Sequence, residues 1–370
     1  MQIRPNGRPP FRADHVGSLL RPAKLREAFK QHAADRLDDA VFKRVQDEAV
    51  REVVKLQQSV GLEVVTDGEF RRASYWGRFV GMIRGFVIKD AQFSFHDEHG
   101  HETAFTAPYV AGRLERTRSI SLEEYEAAKR YTDKVVKITL PAPSTMHYWR
   151  LGDWCAPGVY RDAKQFFAEL GAIYRREIAE LAASGCRYVQ LDEVALANLC
   201  DPVQREKARS LGGDPDKLVE LYVDAINEAT RDRPADMVIG VHMCRGNFKG
   251  KYLSEGGYDS VADTLFNRAH VNHFLLEYDT PRAGDFAPLR FLPGDKGVVL
   301  GMISSKTPKL ESIEDLKRRA AEAARYADPS QLAISPQCGF ASTVAGNPVT
   351  EADETAKLRL CVEAARQIWK

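Results

Sequence analysis

The chain has 370 residues, which is enough for one large domain or two ordinary ones with a substantial hydrophobic core. Lys and Arg number 53 against 52 Asp and Glu, and this balance argues against a nucleic-acid or anionic-membrane partner. No apolar run approaches the ~18 residues of a membrane span, and the polar, Pro-rich start lacks a secretory signal. Six irregularly spaced cysteines do not form a disulfide framework, so we expect a cytoplasmic protein with reduced thiols.

Eight short runs rich in apolar and β-branched residues predict buried strands. They span residues 11–18, 62–69, 135–141, 187–193, 237–244, 272–279, 297–304 and 331–338. Amphipathic patterns between them predict helices over residues 39–60, 163–184, 215–231, 312–326 and 351–369. Eight strands that alternate with helices predict an α/β protein, a (β/α)₈ TIM barrel that forms a single domain over residues 1–370.

The connection between the second and third predicted strands, residues 70–134, is longer than a barrel connection needs. Alternating residues on both sides of a turn at 97–100 predict a β-hairpin insertion over residues 84–112. The tip of this hairpin carries three histidines, His96, His99 and His101. Because no cysteine stands near them, we interpret them as part of an exposed turn rather than as metal ligands.

Metal-ligating residue types stand at the ends of three predicted strands. His242 and Cys244 point to the same side of one strand, a pair that alone is typical of a buried histidine beside an inert cysteine. Glu277 and Cys338 close two further strands, and in a barrel all such ends meet at one mouth. One imidazole, two thiolates and one carboxylate suit Zn²⁺ better than magnesium or calcium. These four residues therefore predict a zinc site, and the alternative for Glu277 is that it binds a substrate amine.

Acidic residues close two other predicted strands. Glu69 follows the second strand and Asp192 the fourth. Two carboxylates near one pocket favour a substrate with an ammonium group, which must be paired when it loses its water; salt bridges to neighbouring loops are the alternative. Zinc would keep a substrate thiol, whose pKa is ~8.5 when free, in its nucleophilic thiolate form. The pattern predicts a zinc enzyme that activates the thiol of an amino acid.

Five motifs at predicted strand ends carry a family resemblance. They are His15-Val16-Gly17-Ser18, Val65-Thr66-Asp67-Gly68-Glu69, Gln190-Leu191-Asp192-Glu193, Val241-His242-Met243-Cys244 and Pro336-Gln337-Cys338-Gly339. In this order they resemble the catalytic C-terminal barrel of cobalamin-independent methionine synthase, and the resemblance runs over nearly the whole chain. It implies transfer of a methyl group from 5-methyltetrahydrofolate, or from another donor such as a methyl-corrinoid, to the thiol of homocysteine on Zn²⁺.

The resemblance also implies individual roles. The implied zinc ligands are His242, Cys244, Glu277 and Cys338. The implied binding residues for the amino-acid end of homocysteine are Gly17, Ser18, Glu69 and Asp192, of which Asp192 is also a candidate catalytic residue. Trp149 is implied to pack against the donor, and we expect an aromatic mouth around Tyr75, Trp76 and Trp149.

Two departures from the family pattern concern the methyl donor. The family has a histidine, a candidate proton relay, in a His-Ser-Pro turn where this chain places Lys306; either Lys306 or Ser305 is then the catalytic substitute. Full-length members carry an additional N-terminal barrel that helps to bind the folate tail, and the 370 residues contain no counterpart. We therefore expect a small thiol substrate and a donor that is a folate or a corrinoid protein, with a homo-oligomer as a further expectation.

Three other functions stay compatible with the sequence. An alkyl or epoxide transferase that acts on another thiol, such as coenzyme M, would need cations for a sulfonate, and Arg12, Arg71 and Arg72 stand near the predicted rim. A metal-free barrel that binds or decarboxylates a tetrapyrrole would not need the four ligands. A purely structural zinc would leave a closed site that does not react with thiols.

Overall fold

The protein is described here by a computed structural model that covers residues 8–97 and 99–369. Its centre is a curled parallel sheet of seven strands, and two further strands form a hairpin outside it. The hairpin strands are β2 (Ile83–His96) and β3 (Glu102–Arg116). The sheet strands, in spatial order, are β1 (Val64–Val65), β4 (Val135–Pro141), β5 (Tyr188–Glu193), β6 (Val238–Met243), β7 (His273–Glu277), β8 (Gly297–Ile303) and β9 (Leu332–Pro336).

Eleven α-helices are described in these ranges. They are α1 (Ala23–Ala33), α2 (Asp39–Ser59), α3 (Gly77–Gly81), α4 (Leu122–Lys129), α5 (Ala163–Ala183), α6 (Ala195–Asn198), α7 (Pro202–Ser210), α8 (Pro215–Thr230), α9 (Asp259–Arg268), α10 (Ile313–Ala323) and α11 (Glu351–Ile368). The five long helices predicted from amphipathic patterns are confirmed. Side-chain caps explain their starts, as at α5, where Asp162 accepts a hydrogen bond from the Gln165 amide. No helix of the described ranges is both long and apolar enough to cross a membrane.

The strand register brings the carboxyl ends of the strands to one mouth. Asp192 on β5 stands opposite Pro141 on β4 and His242 on β6. All residues of β4 to β9 in the sheet are buried, because helices cover the outside and side chains fill the inside. The predicted TIM-barrel fold is confirmed, with seven of the eight predicted strands in the sheet.

The first predicted strand, residues 11–18, differs from expectation. It makes one parallel bridge, Ala13 to Ile334 on β9, instead of a continuous ladder. The next backbone carbonyl oxygens accept hydrogen bonds from side chains instead of from a neighbouring strand. The Val16 carbonyl accepts from Gln190 Nε2 at 2.7 Å, and the Gly17 carbonyl accepts from Thr66 Oγ1 at 2.6 Å. The segment therefore closes the ring between β9 and β1 without forming a strand.

The second predicted strand is also shorter than expected. Residues 62–69 contribute only Val64–Val65 to the sheet. Gly68 and Glu69 then adopt φ values of 71° and 61°, which turn the chain away from strand geometry. The turn carries Glu69 toward the mouth of the barrel.

The predicted hairpin is present, with arms longer than the predicted 84–112. Its strands pair from Ile83 opposite Arg116 to His96 opposite Glu102. It crosses the mouth, because the Gln92 amide donates to the Trp149 carbonyl at 2.9 Å and the His96 amide to the Tyr252 carbonyl at 2.8 Å.

The hairpin tip is an Asp-centred turn. The carboxylate of Asp97 accepts from the amides of His99 and His101, each at 3.0 Å. Glu98 lies outside the described residues. Within the described ranges the tip histidines belong to no group of three or more His, Cys, Asp or Glu with metal-ligand spacing.

Candidate metal centre

Three of the four predicted zinc ligands come together at the mouth. His242 lies on β6, Cys244 follows the end of β6, and Cys338 follows β9. One ligand atom from each lies within 4.8 Å of the others, and all three side chains are buried. In the described part of the chain this is the one group of at least three His, Cys, Asp or Glu with such spacing.

The imidazole of His242 is oriented for metal binding. Its Nδ1 lies 3.1 Å from the carbonyl oxygen of Leu275, and its Nε2 is buried without a hydrogen-bond partner. When Nδ1 donates to the carbonyl, the lone pair of Nε2 is left for a ligand. A buried ring nitrogen without a partner is costly, and a bound cation would satisfy it.

The pKa values of the two buried thiols shift in opposite directions. The hydrogen bond from Cys244, with the nearby His242 imidazole, holds the pKa of the Cys338 thiol well below its usual range although burial raises it. The same contact with Cys338, together with burial, raises the pKa of Cys244. Both cysteines are free of disulfides. Two adjacent thiols and an open imidazole nitrogen form a donor set that fits Zn²⁺.

Glu277, the fourth predicted ligand, is not part of this group. It is fully buried at the end of β7, where its Oε2 accepts a hydrogen bond from the Arg245 amide at 2.8 Å. Its Oε1 lies 3.6 Å from Lys306 Nζ and 3.6 Å from a guanidinium nitrogen of Arg282. Ligation of the metal by Glu277 stays a prediction.

Ser305 and Lys306 follow β8, beside the loop that carries Cys338. The Ser305 hydroxyl donates to Gln337 Oε1 at 2.6 Å and has the Gly339 carbonyl 3.1 Å away. Ser305 therefore ties together the residues on both sides of Cys338. Neither Ser305 nor Lys306 lines the cavity described below, and their predicted catalytic roles stay untested predictions.

Glu69 and Asp192 both face the cavity in front of the thiols. Glu69 Oε1 accepts from the Thr139 hydroxyl at 2.7 Å, and its Oε2 is buried without a partner. Asp192 Oδ1 accepts from Gln190 Nε2 at 2.7 Å. Burial and the negative charge of Glu69 raise the pKa of Asp192 to about 7. A cation in the cavity would relieve this repulsion, as expected of a pocket for an ammonium group.

Gly17 and Ser18 lie beside the carboxylates. Ser18 lines the cavity, and Gly17 lies behind it with φ 137°, a backbone conformation that disfavours side chains. A Cβ at Gly17 would lie 2.7 Å from a methyl carbon of Thr139. Glycine therefore lets this segment pack against β4.

One cavity of about 830 Å³ is lined by the three grouped ligands, the two carboxylates and Ser18. This volume is within the usual range for pockets that bind small molecules and cofactors. The three predicted aromatic residues, Tyr75, Trp76 and Trp149, line it. Three further aromatic rings that the sequence did not predict also line it: Phe95, Phe105 and Phe248. Phe95 and Phe105 come from the hairpin, and the Phe105 ring lies 5.2 Å from that of Trp149, edge to face. The hairpin thus forms one wall.

A buried polar chain beneath Asp192 was also missed. Lys137 Nζ, which is fully buried, donates to Asp14 Oδ1 at 2.9 Å and to Gln190 Oε1 at 2.8 Å. Gln190 in turn donates a hydrogen bond from Nε2 to Asp192 Oδ1. A lysine in the middle of the apolar run 135–141 was the available signal, because a buried ammonium needs acidic or carbonyl partners nearby.

Comparison with known proteins finds relatives over nearly the whole chain. The family model "Cobalamin-independent synthase, Catalytic domain" matches residues 11–367. The chain is 38% identical over 365 residues to an uncharacterized protein, YxjH, of Bacillus subtilis, with 98% of this chain and 95% of that protein covered. It is 26% identical over 326 residues to methionine synthase of Pyrococcus furiosus, covering 88% of this chain and 85% of that protein.

A solved structure agrees over the whole length. The putative vitamin-B12-independent methionine synthase of Listeria monocytogenes matches with a TM-score of 0.78 and 32% identity. The match covers 99% of this chain and 100% of that one. The chain therefore belongs to the cobalamin-independent methionine synthase family.

Proposed function

We propose that the protein is a zinc-dependent methyltransferase that converts homocysteine to methionine. The observation that carries this proposal is that the group of His242, Cys244 and Cys338 opens on the same cavity as two carboxylates, Glu69 and Asp192. A thiol and an ammonium group of one small amino acid match these two features. Relatives named methionine synthase support the same substrate.

The proposed zinc ligands are His242, Cys244 and Cys338, with Glu277 as a predicted fourth. Bound zinc would lower the pKa of the substrate thiol and keep it nucleophilic at neutral pH. Asp192 and Glu69 would pair with the substrate ammonium, and the segment at Gly17 and Ser18 would hold its carboxylate end. Such contacts orient the sulfur for in-line attack on a methyl carbon.

The aromatic wall of the cavity supports a flat methyl donor. Trp149 is almost completely buried, and its indole Nε1 has no hydrogen-bond partner within the described residues. We propose 5-methyltetrahydrofolate as the donor, with a methyl-corrinoid as the alternative. Both have extended conjugated or ring systems that stack on aromatic side chains.

A sulfonate-bearing thiol such as coenzyme M fits the cavity less well. The three arginines that favoured it already have partners: Arg71 pairs with Asp47, Arg72 with Glu124 at 2.7 Å, and Arg12 donates to backbone carbonyls near residue 330. The carboxylates of Glu69 and Asp192 would repel a sulfonate. Homocysteine is therefore the proposed acceptor.

The test combines metal content with methionine formation. Purified protein should hold about one zinc per chain and form methionine from homocysteine with methyltetrahydrofolate, its polyglutamate or a methyl-corrinoid, assayed side by side. Cys244→Ser and Cys338→Ser should lose both zinc and activity, whereas Cys155→Ser, a partly buried cysteine distant in sequence from the ligands, should keep both. Full activity in either ligand variant would refute the proposal.

A further inference from the structure

Thr139 is a buried polar residue on the inner face of β4. Side chains two apart on a strand point to the same side, and Thr139 therefore shares this face with Lys137. Lys137 holds the side chain of Gln190 beneath Asp192. The hydroxyl of Thr139 contacts Glu69, the other cavity carboxylate. One strand thus supports both carboxylates that we assign to the substrate ammonium.

The direction of the Thr139 hydroxyl is set by Arg72. A guanidinium nitrogen of Arg72, Nη1, donates to Thr139 Oγ1 at 3.0 Å, and a guanidinium has no lone pair with which to accept. The single hydroxyl proton is therefore left for Glu69 Oε1, 2.7 Å away. Arg72 is itself fixed, because it donates to both carboxylate oxygens of Glu124 at 2.9 and 2.7 Å and to the Thr139 carbonyl at 2.7 Å.

The backbone of Glu69 is held by contacts that do not involve Thr139. Its φ of 61° is in the left-handed region. Its amide donates to Asp67 Oδ1 at 2.9 Å, and its carbonyl accepts from a guanidinium nitrogen of Arg21 at 2.9 Å. Its Oε2 is buried without a hydrogen-bond partner among the described residues, and Glu69 lines the cavity. With the main chain fixed, the contacts of Oε1 decide which way the carboxylate turns.

We propose that Thr139 is a positioning residue whose hydroxyl keeps the carboxylate of Glu69 turned toward the substrate ammonium. The inference rests on the proposed function and adds a residue that supports recognition of the amine. The competing partner for Glu69 is Arg72, because the nitrogen that donates to Thr139 lies only 3.6 Å from Glu69 Oε1. Without the hydroxyl this buried nitrogen loses its acceptor, which is costly, and it would pair directly with Glu69.

Thr139→Val removes the hydroxyl and keeps the shape of the side chain. Calorimetric titration of the zinc-loaded variant should show that homocysteine binds roughly 10- to 100-fold more weakly than to the wild type. Binding of 4-mercaptobutanoate, a thiol acid without the amine, should change by less than about twofold. Thr139→Ser, which keeps the hydroxyl, should bind homocysteine within about threefold of the wild type. A crystal structure of Thr139→Val should place a carboxylate oxygen of Glu69 within hydrogen-bond distance of Arg72.

Thr230→Val is the matched control. Thr230 is also buried, and its hydroxyl donates to the Ile226 carbonyl within α8, so both thiols should bind this variant as they bind the wild type. Equal weakening of both thiols in Thr139→Val, or unchanged binding of homocysteine, would overturn the proposal. Thr139→Ala gives the same comparison if the valine variant does not fold. Failure of the proposed function would look different, because the wild type itself would then show no preference for homocysteine over 4-mercaptobutanoate.

Discussion

Gln190 Nε2 donates a hydrogen bond of 2.7 Å to Oδ1 of Asp192, and the side chain of Gln190 is itself held at its other end by Lys137. The carboxylate that we assign to the substrate ammonium is therefore oriented from inside the barrel. Its free oxygen is left to face the cavity. A ligand-binding carboxylate fixed in this way loses little rotamer entropy when the substrate arrives.

Gln190→Leu is expected to weaken homocysteine binding while leaving the zinc content unchanged. A hydrogen bond to a charged group contributes about 1.5–3 kcal/mol, so the KM should rise roughly 10- to 100-fold. The matched comparison is 4-mercaptobutanoate, which is homocysteine without its amine. Its affinity should barely change in the variant, and an equal loss for both thiols would contradict the assignment of Asp192 to the ammonium group.

Gly339→Ala is expected to destabilise the loop that carries Cys338. A Cβ at this position would lie 1.9 Å from Ser18 Oγ and 3.2 Å from the Ser18 carbonyl oxygen. Overpacking of this kind costs about 1–3 kcal/mol in the free energy of unfolding, which urea denaturation measures. Addition of Ser18→Gly should recover part of this loss in a double-mutant cycle, and strictly additive effects would show that the two residues are not in contact.

Phe105→Ala should weaken binding of the methyl donor more than binding of the thiol substrate. The ring packs against Trp149 at 5.2 Å and Phe95 at 5.0 Å and forms part of the cavity wall. Steady-state kinetics should show a rise in the KM of the donor with little change in that of homocysteine. Val87→Ala, an exposed position on the same hairpin, should leave both values unchanged. A Phe105→Ala effect confined to homocysteine would exclude the hairpin from the donor site.

Glu354 is expected to make stability depend on pH. It accepts from the Leu20 amide at 2.8 Å, and burial raises its pKa from 4.5 to about 8. Between these values the folded protein holds the proton and the unfolded chain does not, so stability falls as pH rises from about 5 to about 8. The slope is at most about 1.4 kcal/mol per pH unit. Urea denaturation at pH 6 and pH 8 should show a smaller difference for Glu354→Gln than for the wild type, and identical differences would contradict the assignment.

The strands that sequence periodicity predicted correctly are those buried on both faces. The runs at 135–141 and 297–304 match β4 and β8 within one residue, because parallel strands in a barrel are apolar throughout. The run at 11–18 has Arg, Asp and His among its apolar residues and is not a strand. Its carbonyls are bonded by Gln190 and Thr66, contacts between distant parts of the chain that local patterns do not contain.

The part of the site that the sequence predicts correctly consists of residues whose type alone indicates metal binding. His242, Cys244 and Cys338 are residue types that commonly bind zinc, and the structure brings their ligand atoms together. The neighbours of Glu277 were not predictable in the same way. Arg282 lies in a short 3₁₀ helix, Pro281–Ala283, after β7, and its approach to Glu277 depends on the path of this connection rather than on sequence spacing.

The segment of residues 11–18 forms the seam that closes the ring between β9 and β1, and a ligand in the mouth of the barrel should affect this closure. It is held by the bridge at Ala13 and by side-chain donors, and the same segment brings Ser18 to the cavity. A ligand that binds only the closed ring lowers the population of molecules opened at the seam. Amide hydrogen exchange at Asp14 and Ile334, whose N–H groups bond across the seam, should therefore slow on substrate binding and report occupancy of the site.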